Sequence, residues 1–493
     1  VDTRGGASMD SSRSPRSDGR RPARSGRPHG GSQHADRRSA PSQASPARLA
    51  ALDACRIVRE RSAYAQDVIQ ATIDRSRMAP EDRAFATLLV LGVVSTEGVL
   101  DELIDRSLRS PRDVKPDVRD ALRIAAYETV FLKKEPYAVV DQGVELVRAV
   151  APRAAGLGNA ALRALTRVAA EFPFGDPATD DAAFARLCGF PQWLAQLLVR
   201  DLGPEAARAF MRASNDPAPL FVADNPLKAQ PGEVAVELER AKASVEPVAV
   251  DGVSVEGCLR VAPARVLADG RIRHLIDQGK MLVSDASSQA VASLILPERM
   301  PASLLEVGAG RGTKTILLEG AAVRRWGEPL HAHAAVDNHP FKVKLLKERA
   351  AEYGLDSVEG IVADATRLQG DLEGREFDLV FIDAPCSGLG TLRRHPEIRW
   401  RITPAHIDDL ARTQLALLRS AAACVSVGGT LAYATCTVTR KENFDVVKAF
   451  LASPEGSAFA LAPIGGRSCF APQLVPGSSD AHFAVVFVRK SGK

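Results

Sequence analysis

The feature that most constrains the fold is an alternation of strand and helix that runs from about residue 285 to the end of the chain. Strands that alternate with helices form a doubly wound parallel sheet, with helices on both faces. Ligands bind to such sheets outside the carboxyl ends of the strands. Five short apolar segments are predicted as strands, namely SLLEV, HAAVD, EGIVAD, FDLVFID and TLAYAT. The loops that follow these strands are therefore candidates for a functional site.

The loop after the first of these strands is rich in glycine and reads EVGAGRGTKT. Its three glycines allow a tight turn and a close approach of a ligand to the backbone. A glycine-rich turn also occurs in dinucleotide enzymes, so the loop alone does not identify a cofactor. We expect cofactor contacts from Gly308, Ala309, Gly310, Arg311, Gly312, Thr313 and Lys314.

Acidic residues at the ends of the next two strands narrow the choice of cofactor. Asp337 can accept hydrogen bonds from both hydroxyls of a ribose, and Asp364 can accept one from the amino group of an adenine. With the glycine-rich loop, these acids favour S-adenosylmethionine, although NAD remains open on these residues alone. The seven cysteines include no Cys-x-x-Cys pair, which fits neither a disulfide framework nor a zinc site. No metal is therefore predicted.

Two cysteines follow the last two predicted strands. The segment FDLVFIDAPCSGLGTLRRHPEIRW contains Asp383 and Cys386, and YATCTVTRKEN contains Cys436. A thiolate that adds to carbon 6 of cytosine makes carbon 5 nucleophilic toward a methyl group, and Asp383 can stabilise the adduct at ring nitrogen 3. The alternatives are a disulfide or two inert buried thiols. On the residues alone, Cys386 is the preferred nucleophile, since DNA cytosine methyltransferases use that loop.

At these motifs the chain resembles the ribosomal RNA small subunit methyltransferase B family, among the RNA cytosine-5 methyltransferases. The resemblance extends from about Ala47 to the C-terminus. It implies that Cys436 is the nucleophile and that Cys386 assists product release. The cofactor loop of the family usually reads Asp-x-Cys-Ala-Ala-Pro-Gly-Gly-Lys-Thr. In this chain the acid is Glu306 and Arg311 replaces the proline, while Gly312, Lys314 and Thr315 are kept.

The N-terminal half of the chain divides into three further regions. Residues 47–175 have helical periodicity throughout, and segments such as ALRIAAYETVFLKKEPYAVVDQGVELVR resemble the NusB fold, a helical RNA-binding module. Residues 176–213 are predicted as a helical linker. Residues 214–290 are predicted as a small α+β module, which resembles the RRM-like module of the same enzymes but lacks the arginine expected before Asn225. The catalytic domain is then residues 291–493.

The first 46 residues are predicted to be a disordered basic tail, because they contain almost nothing apolar. Residues 1–48 contain ten arginines against four aspartates, whereas the whole chain has a net charge of only +4. Such a tail can hold phosphates loosely through counterion release. A solvated extension without this role is the alternative.

The resulting hypothesis is an S-adenosylmethionine-dependent RNA cytosine-5 methyltransferase that acts on 16S rRNA or on a small-subunit assembly intermediate. Arg393, Arg394 and Arg399 follow the Pro-Cys loop and are expected to hold RNA phosphates. The pattern predicts no membrane span and no export signal, and we expect a cytoplasmic monomer. Two alternatives stay open. One is the same chemistry on tRNA or another RNA, and the other is a catalytically silent RNA-binding assembly factor.

Overall fold

The computed structural model describes residues 43–372 and 374–491. The predicted basic tail therefore lies outside the described residues, except for residues 43–46. Within the described part, a helical domain comes first, followed by three short helices, a small α+β module and a large α/β domain. This order of all-helical and α/β regions agrees with the fold class that the sequence predicts.

The helical domain contains the first helices of the described chain. Several of them begin at a proline, whose fixed φ suits the first helical turn and whose missing N–H costs nothing there. Ser45 caps the first helix, because its side chain accepts a hydrogen bond from the backbone N–H of Arg48. The helices are α1 (Pro46–Arg61), α2 (Ala65–Thr72), α3 (Pro80–Ser107), α4 (Pro116–Val130), α5 (Pro136–Val150) and α6 (Ala155–Val168).

Helix α3 is the central helix of this domain and packs against α1, α4 and α6. A Cβ at Gly92 would lie 1.9 Å from the ring of Tyr127, so the glycine allows α4 to pack closely. By length and composition α3 could cross a membrane, but half of its most apolar window is buried inside the protein. Its apolar character is therefore explained by the core of the helical domain.

The next region joins three short helices to a small antiparallel sheet. The helices are α7 (Asp181–Leu187), α8 (Gln192–Leu202) and α9 (Pro204–Ala213). The sheet has the order β2-β3-β1-β4, and two helices accompany it. These elements are β1 (Leu220–Asp224), α10 (Glu233–Arg240), β2 (Ser244–Val250), β3 (Val253–Ala262), α11 (Gly270–Asp277) and β4 (Met281–Val283). In the sequence, APLFVADN, VEPVAV and GKMLVSD have the pattern of short strands and predict β1, β2 and β4, and PGEVAVELERAK predicts α10, whereas no strand was predicted at β3.

The α/β domain contains a seven-stranded sheet with the order β10-β11-β9-β8-β5-β6-β7. Its strands are β5 (Leu304–Val307), β6 (His333–Asp337), β7 (Val358–Val362), β8 (Phe377–Asp383), β9 (Val425–Thr435), β10 (Phe459–Ala462) and β11 (Phe483–Arg489). Its helices are α12 (Ala286–Leu294), α13 (Thr313–Trp326), α14 (Pro340–Glu352), α15 (Leu368–Asp371), α16 (Ile398–Arg401), α17 (Pro404–Ala422) and α18 (Phe444–Leu451).

The order of this sheet determines where a ligand can bind. Strands β5 to β9 are the five predicted strands, and their pairings are parallel. The chain order reverses between β5 and β8, which creates a crevice at the carboxyl ends of these neighbouring strands. Strands β8 and β9 also pair with each other, so the two cysteine loops emerge side by side. Strands β10 and β11 are antiparallel additions that the sequence pattern did not predict.

The helical domain packs directly against the segment that follows the Pro-Cys loop. The indole N–H of Trp400 donates a hydrogen bond to the carbonyl of Ser95 at 2.9 Å. A Cβ at Gly98 would lie 2.3 Å from the Trp400 ring, so the ring lies on a flat part of α3. Glu397 accepts a hydrogen bond from the backbone N–H of Ala65 at 3.2 Å. The helical domain therefore lies beside the loop that carries Cys386.

Candidate active site

A cavity of about 760 Å³ lies at the carboxyl ends of the parallel strands. It is lined by loops after β5, β6, β7, β8 and β9, which is where the sequence pattern predicts a site. Of the predicted cofactor-loop residues, Ala309, Arg311 and Gly312 do not line the cavity. The predicted residues that do line it are Gly308, Gly310, Thr313, Lys314, Asp337, Asp364, Asp383, Cys386, Arg394 and Cys436.

The glycine-rich loop has the backbone conformation that its glycines suggest. Gly308, Gly310 and Gly312 all have positive φ, the last two at 59° and 80°. A Cβ at Gly310 would have no other protein atom closer than 3.9 Å and would occupy space in the cavity. A ligand can therefore approach this backbone closely. Arg311 points away, because its side chain is exposed and does not line the cavity.

The two strand-end acids differ in their surroundings. Asp337 is buried and accepts hydrogen bonds from the backbone N–H groups of Gly310 and His339, at 3.2 and 2.9 Å. Asp364 is exposed, and its carboxylate accepts hydrogen bonds from the backbone and hydroxyl of Thr366. The hydroxyl and backbone hydrogen bonds of Thr366, in that order, hold the pKa of Asp364 below its usual value. Both carboxylates line the cavity as acceptors.

Glu306, which replaces the usual aspartate, does not reach the cavity. It is fully buried and accepts hydrogen bonds from the hydroxyl of Thr315 at 2.6 Å and from His333 at 3.2 Å. The other ring nitrogen of His333 lies 2.7 Å from Glu319. Burial opposes the charged imidazole, but hydrogen bonds to the two glutamates outweigh it and raise the pKa of His333 to about 9. The longer acid is thus part of a buried ionic network beneath the loop.

The two cysteines of the site are in direct contact. The sulfur atoms of Cys386 and Cys436 lie 3.1 Å apart, and both thiols are free. The backbone N–H of Cys436 also donates a hydrogen bond to the Cys386 sulfur at 3.2 Å. The hydrogen bond with Cys436, together with burial, raises the pKa of Cys386 well above its usual value. Cys386 is therefore held as a thiol that can donate its S–H to Cys436.

Asp383 lies next to this pair and forms an ion pair with the cofactor loop. Its Oδ2 atom is 2.7 Å from the Nζ atom of Lys314. Within the described part of the chain, its Oδ1 atom has no hydrogen-bond partner. Burial alone would lower the pKa of Lys314, but the charge and hydrogen bond of Asp383 raise it. Lys314 therefore stays charged, fixes one carboxylate oxygen and leaves the other free to meet a ligand.

A buried glutamate that the sequence interpretation missed holds the two cysteine loops together. Glu442 accepts hydrogen bonds from the backbone N–H and hydroxyl of Ser387, at 2.7 and 2.6 Å. It also accepts hydrogen bonds from the hydroxyls of Thr437 and Thr439, at 3.2 and 2.7 Å. Because Ser387 follows one cysteine and Thr437 follows the other, Glu442 fixes their separation. Its place in YATCTVTRKEN was the available signal, within a motif already matched to a family.

The structure corrects the expectation that Arg393 and Arg399 hold RNA phosphates. The Arg399 side chain is fully buried, donates to the carbonyls of Cys188 and Ser214, and lies over the ring of Phe190. The Arg393 side chain is also buried and donates to the backbone carbonyl of Ser479 at 2.6 Å. Charge alone suggested a nucleic-acid surface, but both guanidinium groups satisfy backbone carbonyls inside the protein.

Arg394 lies at the cavity wall, where two carboxylates bind it. It donates to Asp285 at 3.1 Å and to Asp480 at 2.8 Å, with 30% of its side chain exposed. The backbone N–H of Asp480 also donates to Asp285. This cluster joins the start of α12 to the segment before β11, and the sequence interpretation did not foresee it. Across residues 43–372 and 374–491, no group of His, Cys, Asp or Glu side chains is arranged to hold a metal.

Comparison with known proteins identifies the family. The family model for 16S rRNA methyltransferase RsmB/F matches residues 293–467, and the NusB family model matches residues 45–167. A probable ribosomal RNA small subunit methyltransferase B from Synechocystis sp. is 31% identical over 406 residues, which cover 81% of this chain and 87% of that protein. The ribosomal RNA small subunit methyltransferase B of Thermus thermophilus is 30% identical over 397 residues, which cover 80% of this chain and 84% of that protein.

The chain belongs to the ribosomal RNA small subunit methyltransferase B family. Membership of this family confirms the predicted resemblance, the class of RNA methyltransferase and S-adenosylmethionine as the cofactor. Two solved structures share the fold. The crystal structure of PH0851 superposes with a TM-score of 0.73 at 22% identity, over 90% of this chain and 99% of that one. The crystal structure of NSun6 from Pyrococcus horikoshii superposes with a TM-score of 0.52 at 16% identity, over 62% of this chain and 100% of that one.

Proposed function

We propose that this member of the family methylates carbon 5 of a cytosine in 16S rRNA through a covalent adduct with Cys436. The observation that carries the proposal is the contact of the two thiols at 3.1 Å beside Asp383, in the cavity that the glycine-rich loop lines. A thiol pair with an adjacent carboxyl group supplies the groups that this reaction requires. Methylation of an amine or a ribose hydroxyl would use no thiol at all.

Several residues fit the methyl donor. S-adenosylmethionine, when bound, supplies the methyl group. The open space at Gly310 allows a close approach to the backbone, and Asp337 offers an acceptor for ribose hydroxyls. Asp364 lies further along the same cavity as an acceptor for the adenine amino group. We infer these roles from the acceptors that face the cavity.

The reaction begins when the Cys436 thiolate attacks carbon 6 of the target cytosine. With a proton on its free Oδ1 atom, Asp383 can donate a hydrogen bond to ring nitrogen 3, while Lys314 holds its other oxygen at 2.7 Å. Stabilisation at nitrogen 3 offsets the charge that develops in the ring during attack. Carbon 5 then becomes nucleophilic and takes the methyl group. After the carbon 5 proton leaves, the bond to Cys436 breaks, and the thiol of Cys386 is placed to stabilise the departing sulfur.

The target base must leave its stack to reach Cys436, because the thiol lies inside the cavity. A second cavity of about 750 Å³ adjoins the first and shares Arg394 and His395 with it. It is lined by α3 of the helical domain and by the segment after the Pro-Cys loop. We infer that RNA passes along this boundary, so that the helical domain contributes to docking.

The proposal also includes where the enzyme acts and on what. It acts in the cytoplasm as a monomer, on 16S rRNA or on a small-subunit assembly intermediate.

Bisulfite mapping of 5-methylcytosine tests the proposal. RNA from a strain that lacks this gene should lose one 5-methylcytosine in 16S rRNA, and the wild-type gene should restore it. A gene carrying Cys436→Ala should not restore it. If the missing 5-methylcytosine lies in tRNA instead, the substrate assignment is wrong. If 5-methylcytosine is unchanged in every RNA, the cytosine-5 chemistry is wrong.

A further inference from the structure

His482 is a side chain of the cavity to which the chemistry above gives no role. It directly precedes β11, whose first residue, Phe483, pairs with Thr435 at the end of β9. Beyond this pair the backbone of Gly390 lies between the two chains, because its N–H donates to the carbonyl of Cys436 and its carbonyl accepts from Ala481. His482 and Cys436 therefore follow neighbouring strand ends, and both line the cavity.

A short hydrogen-bond chain holds the imidazole of His482. Its Nδ1 atom is 2.6 Å from the hydroxyl oxygen of Ser287, which is 2.8 Å from Asp285 and 2.7 Å from the carbonyl of Asp480. The carboxylate and the carbonyl can only accept hydrogen bonds, so the Ser287 hydroxyl donates its proton in a hydrogen bond to one of them. Ser287 must then accept from His482, which puts the ring proton on Nδ1. The Nε2 atom, which has no hydrogen-bond partner in the described structure, carries the lone pair.

Other groups of the cavity are less suited to take a proton. Lys314 is charged and paired with Asp383, and Asp285 and Asp480 are both bound to Arg394. Burial, followed by the charge of Lys314, lowers the pKa of His482 to about 4. The imidazole is therefore neutral at physiological pH. The hydrogen bond with Cys436 and burial raise the pKa of Cys386, so this residue is already protonated and is a poor proton acceptor.

We propose that His482 accepts the proton that leaves carbon 5, while Ser287 and Asp285 hold its imidazole in the required tautomer. This inference rests on the proposed cytosine-5 chemistry. In the step, the bond between carbon 5 and hydrogen breaks and the proton moves to Nε2. The electron pair of the broken carbon–hydrogen bond forms the double bond between carbons 5 and 6. The bond from carbon 6 to the Cys436 sulfur breaks, and its electron pair leaves on the sulfur. His482 then returns the proton to water.

Two labels separate this step from the earlier ones. The substrate is small-subunit RNA from a strain lacking the gene, with tritium on carbon 5 of its cytosines, and S-adenosylmethionine carries a carbon-14 methyl group. The full-length wild-type enzyme should release one tritium for each methyl group transferred. His482→Gln should transfer the methyl group into a protein–RNA adduct that survives denaturing electrophoresis. Its release of tritium per methyl group should fall at least about 100-fold, the usual contribution of a general base.

Two further variants distinguish catalysis from packing. Ser287→Ala should slow tritium release less than His482→Gln does, because it removes only the group that sets the tautomer. His274→Asn is the matched control, since it removes an exposed imidazole of the small α+β module that does not line the cavity. In this control, tritium release and methyl transfer should stay coupled and no adduct should accumulate. The affinity of each variant for S-adenosylmethionine, measured by calorimetry, verifies that the catalytic domain is folded.

The inference is overturned if His482→Gln releases one tritium for each methyl group transferred, whether the reaction is fast or slow. It is also overturned if the folded variant transfers no methyl group, because His482 would then act before the elimination. Failure of the underlying chemistry has a different signature. The wild-type enzyme itself would transfer methyl groups without releasing tritium, and the reaction would not occur at carbon 5.

Discussion

The sulfur of Cys386 accepts a hydrogen bond from the backbone N–H of Cys436 at 3.2 Å, while the two sulfur atoms lie 3.1 Å apart. Two thiols in this arrangement are not equivalent. Either sulfur can donate at this distance, and the raised pKa of Cys386 favours Cys386 as the S–H donor, which leaves the Cys436 sulfur to attack. This asymmetry agrees with the roles that the family resemblance implies, and variants at the two positions should behave differently.

Cys436→Ala should abolish methylation and form no covalent protein–RNA species. Cys386→Ala should still attack and transfer the methyl group, but it should remain on the RNA because the departing thiolate loses its hydrogen-bond donor. Denaturing electrophoresis with S-adenosylmethionine would show this adduct as a slowly migrating band, absent from the double variant. A band in Cys436→Ala alone would reverse the two roles, and normal turnover by Cys386→Ala would make that thiol a packing residue.

Asp337→Asn should weaken the binding of S-adenosylmethionine without unfolding the protein. The amide keeps the shape of the side chain but removes the charge that accepts ribose hydroxyls. A hydrogen bond to a charged group contributes about 1.5–3 kcal/mol, which corresponds to an affinity loss of about 10- to 100-fold. Isothermal titration calorimetry measures the loss, with the exposed Asp356→Asn as the matched control. An unchanged affinity would show that the ribose lies elsewhere.

Glu442→Gln should reduce adduct formation by about tenfold or more, a loss of about 1.4 kcal/mol or more in transition-state stabilisation. The carboxylate accepts several hydrogen bonds that join the two cysteine loops, and an amide nitrogen cannot replace one of its oxygens as an acceptor. The affinity for S-adenosylmethionine should stay close to that of the wild type. Single-turnover adduct formation is the measurement, and Glu348→Gln, at an exposed glutamate, is the control. Wild-type rates in Glu442→Gln would contradict this positioning role.

Arg399→Met should destabilise the protein and leave the RNA affinity of the folded molecules unchanged. The substitution leaves buried carbonyls of Gly189 and Ser214 without donors, a loss of about 1–3 kcal/mol for each unsatisfied group. Thermal unfolding and RNA binding, measured on the same preparation, separate the two effects. Arg412→Met, at an exposed arginine, is the control. A large loss of RNA affinity at unchanged stability would restore the phosphate-binding role.

His333→Gln should lower stability in a pH-dependent way. The folded protein holds the pKa of His333 at about 9, whereas an unfolded histidine has an ordinary value. The charged imidazole therefore contributes its full stabilisation below pH of about 6.5, and the contribution declines to nothing as pH rises through about 9. The difference in unfolding free energy between wild type and variant should be larger by about 3 kcal/mol near pH 6 than above pH 9. Urea unfolding at several pH values tests this, and a difference that grows with pH would contradict the assignment.

Much of the catalytic domain could be predicted from local patterns. The five parallel strands and their loops follow from apolar segments that end in turns, and these signals lie within a few residues of one another. The two cysteine loops could be placed side by side from strand order alone. By contrast, β3 and β11 both pair antiparallel with their neighbours. Neither strand belongs to the alternation of parallel strands and helices on which the prediction of the sheet rested.

By itself, the sequence determined the class of fold, the position of the site at the strand ends and the pair of thiols within it. These properties depend on periodicity and on residue types that occur next to each other in the chain. Only the tertiary structure decided which charged residues are free to meet a ligand. Arg399 became an internal donor to carbonyls that follow α7 and α9, and Glu442 became the link between two loops. His482 reached the cavity because β11 pairs with β9. These relationships join residues that are far apart in the chain, and burial and hydrogen-bond satisfaction are decided only after the elements pack together.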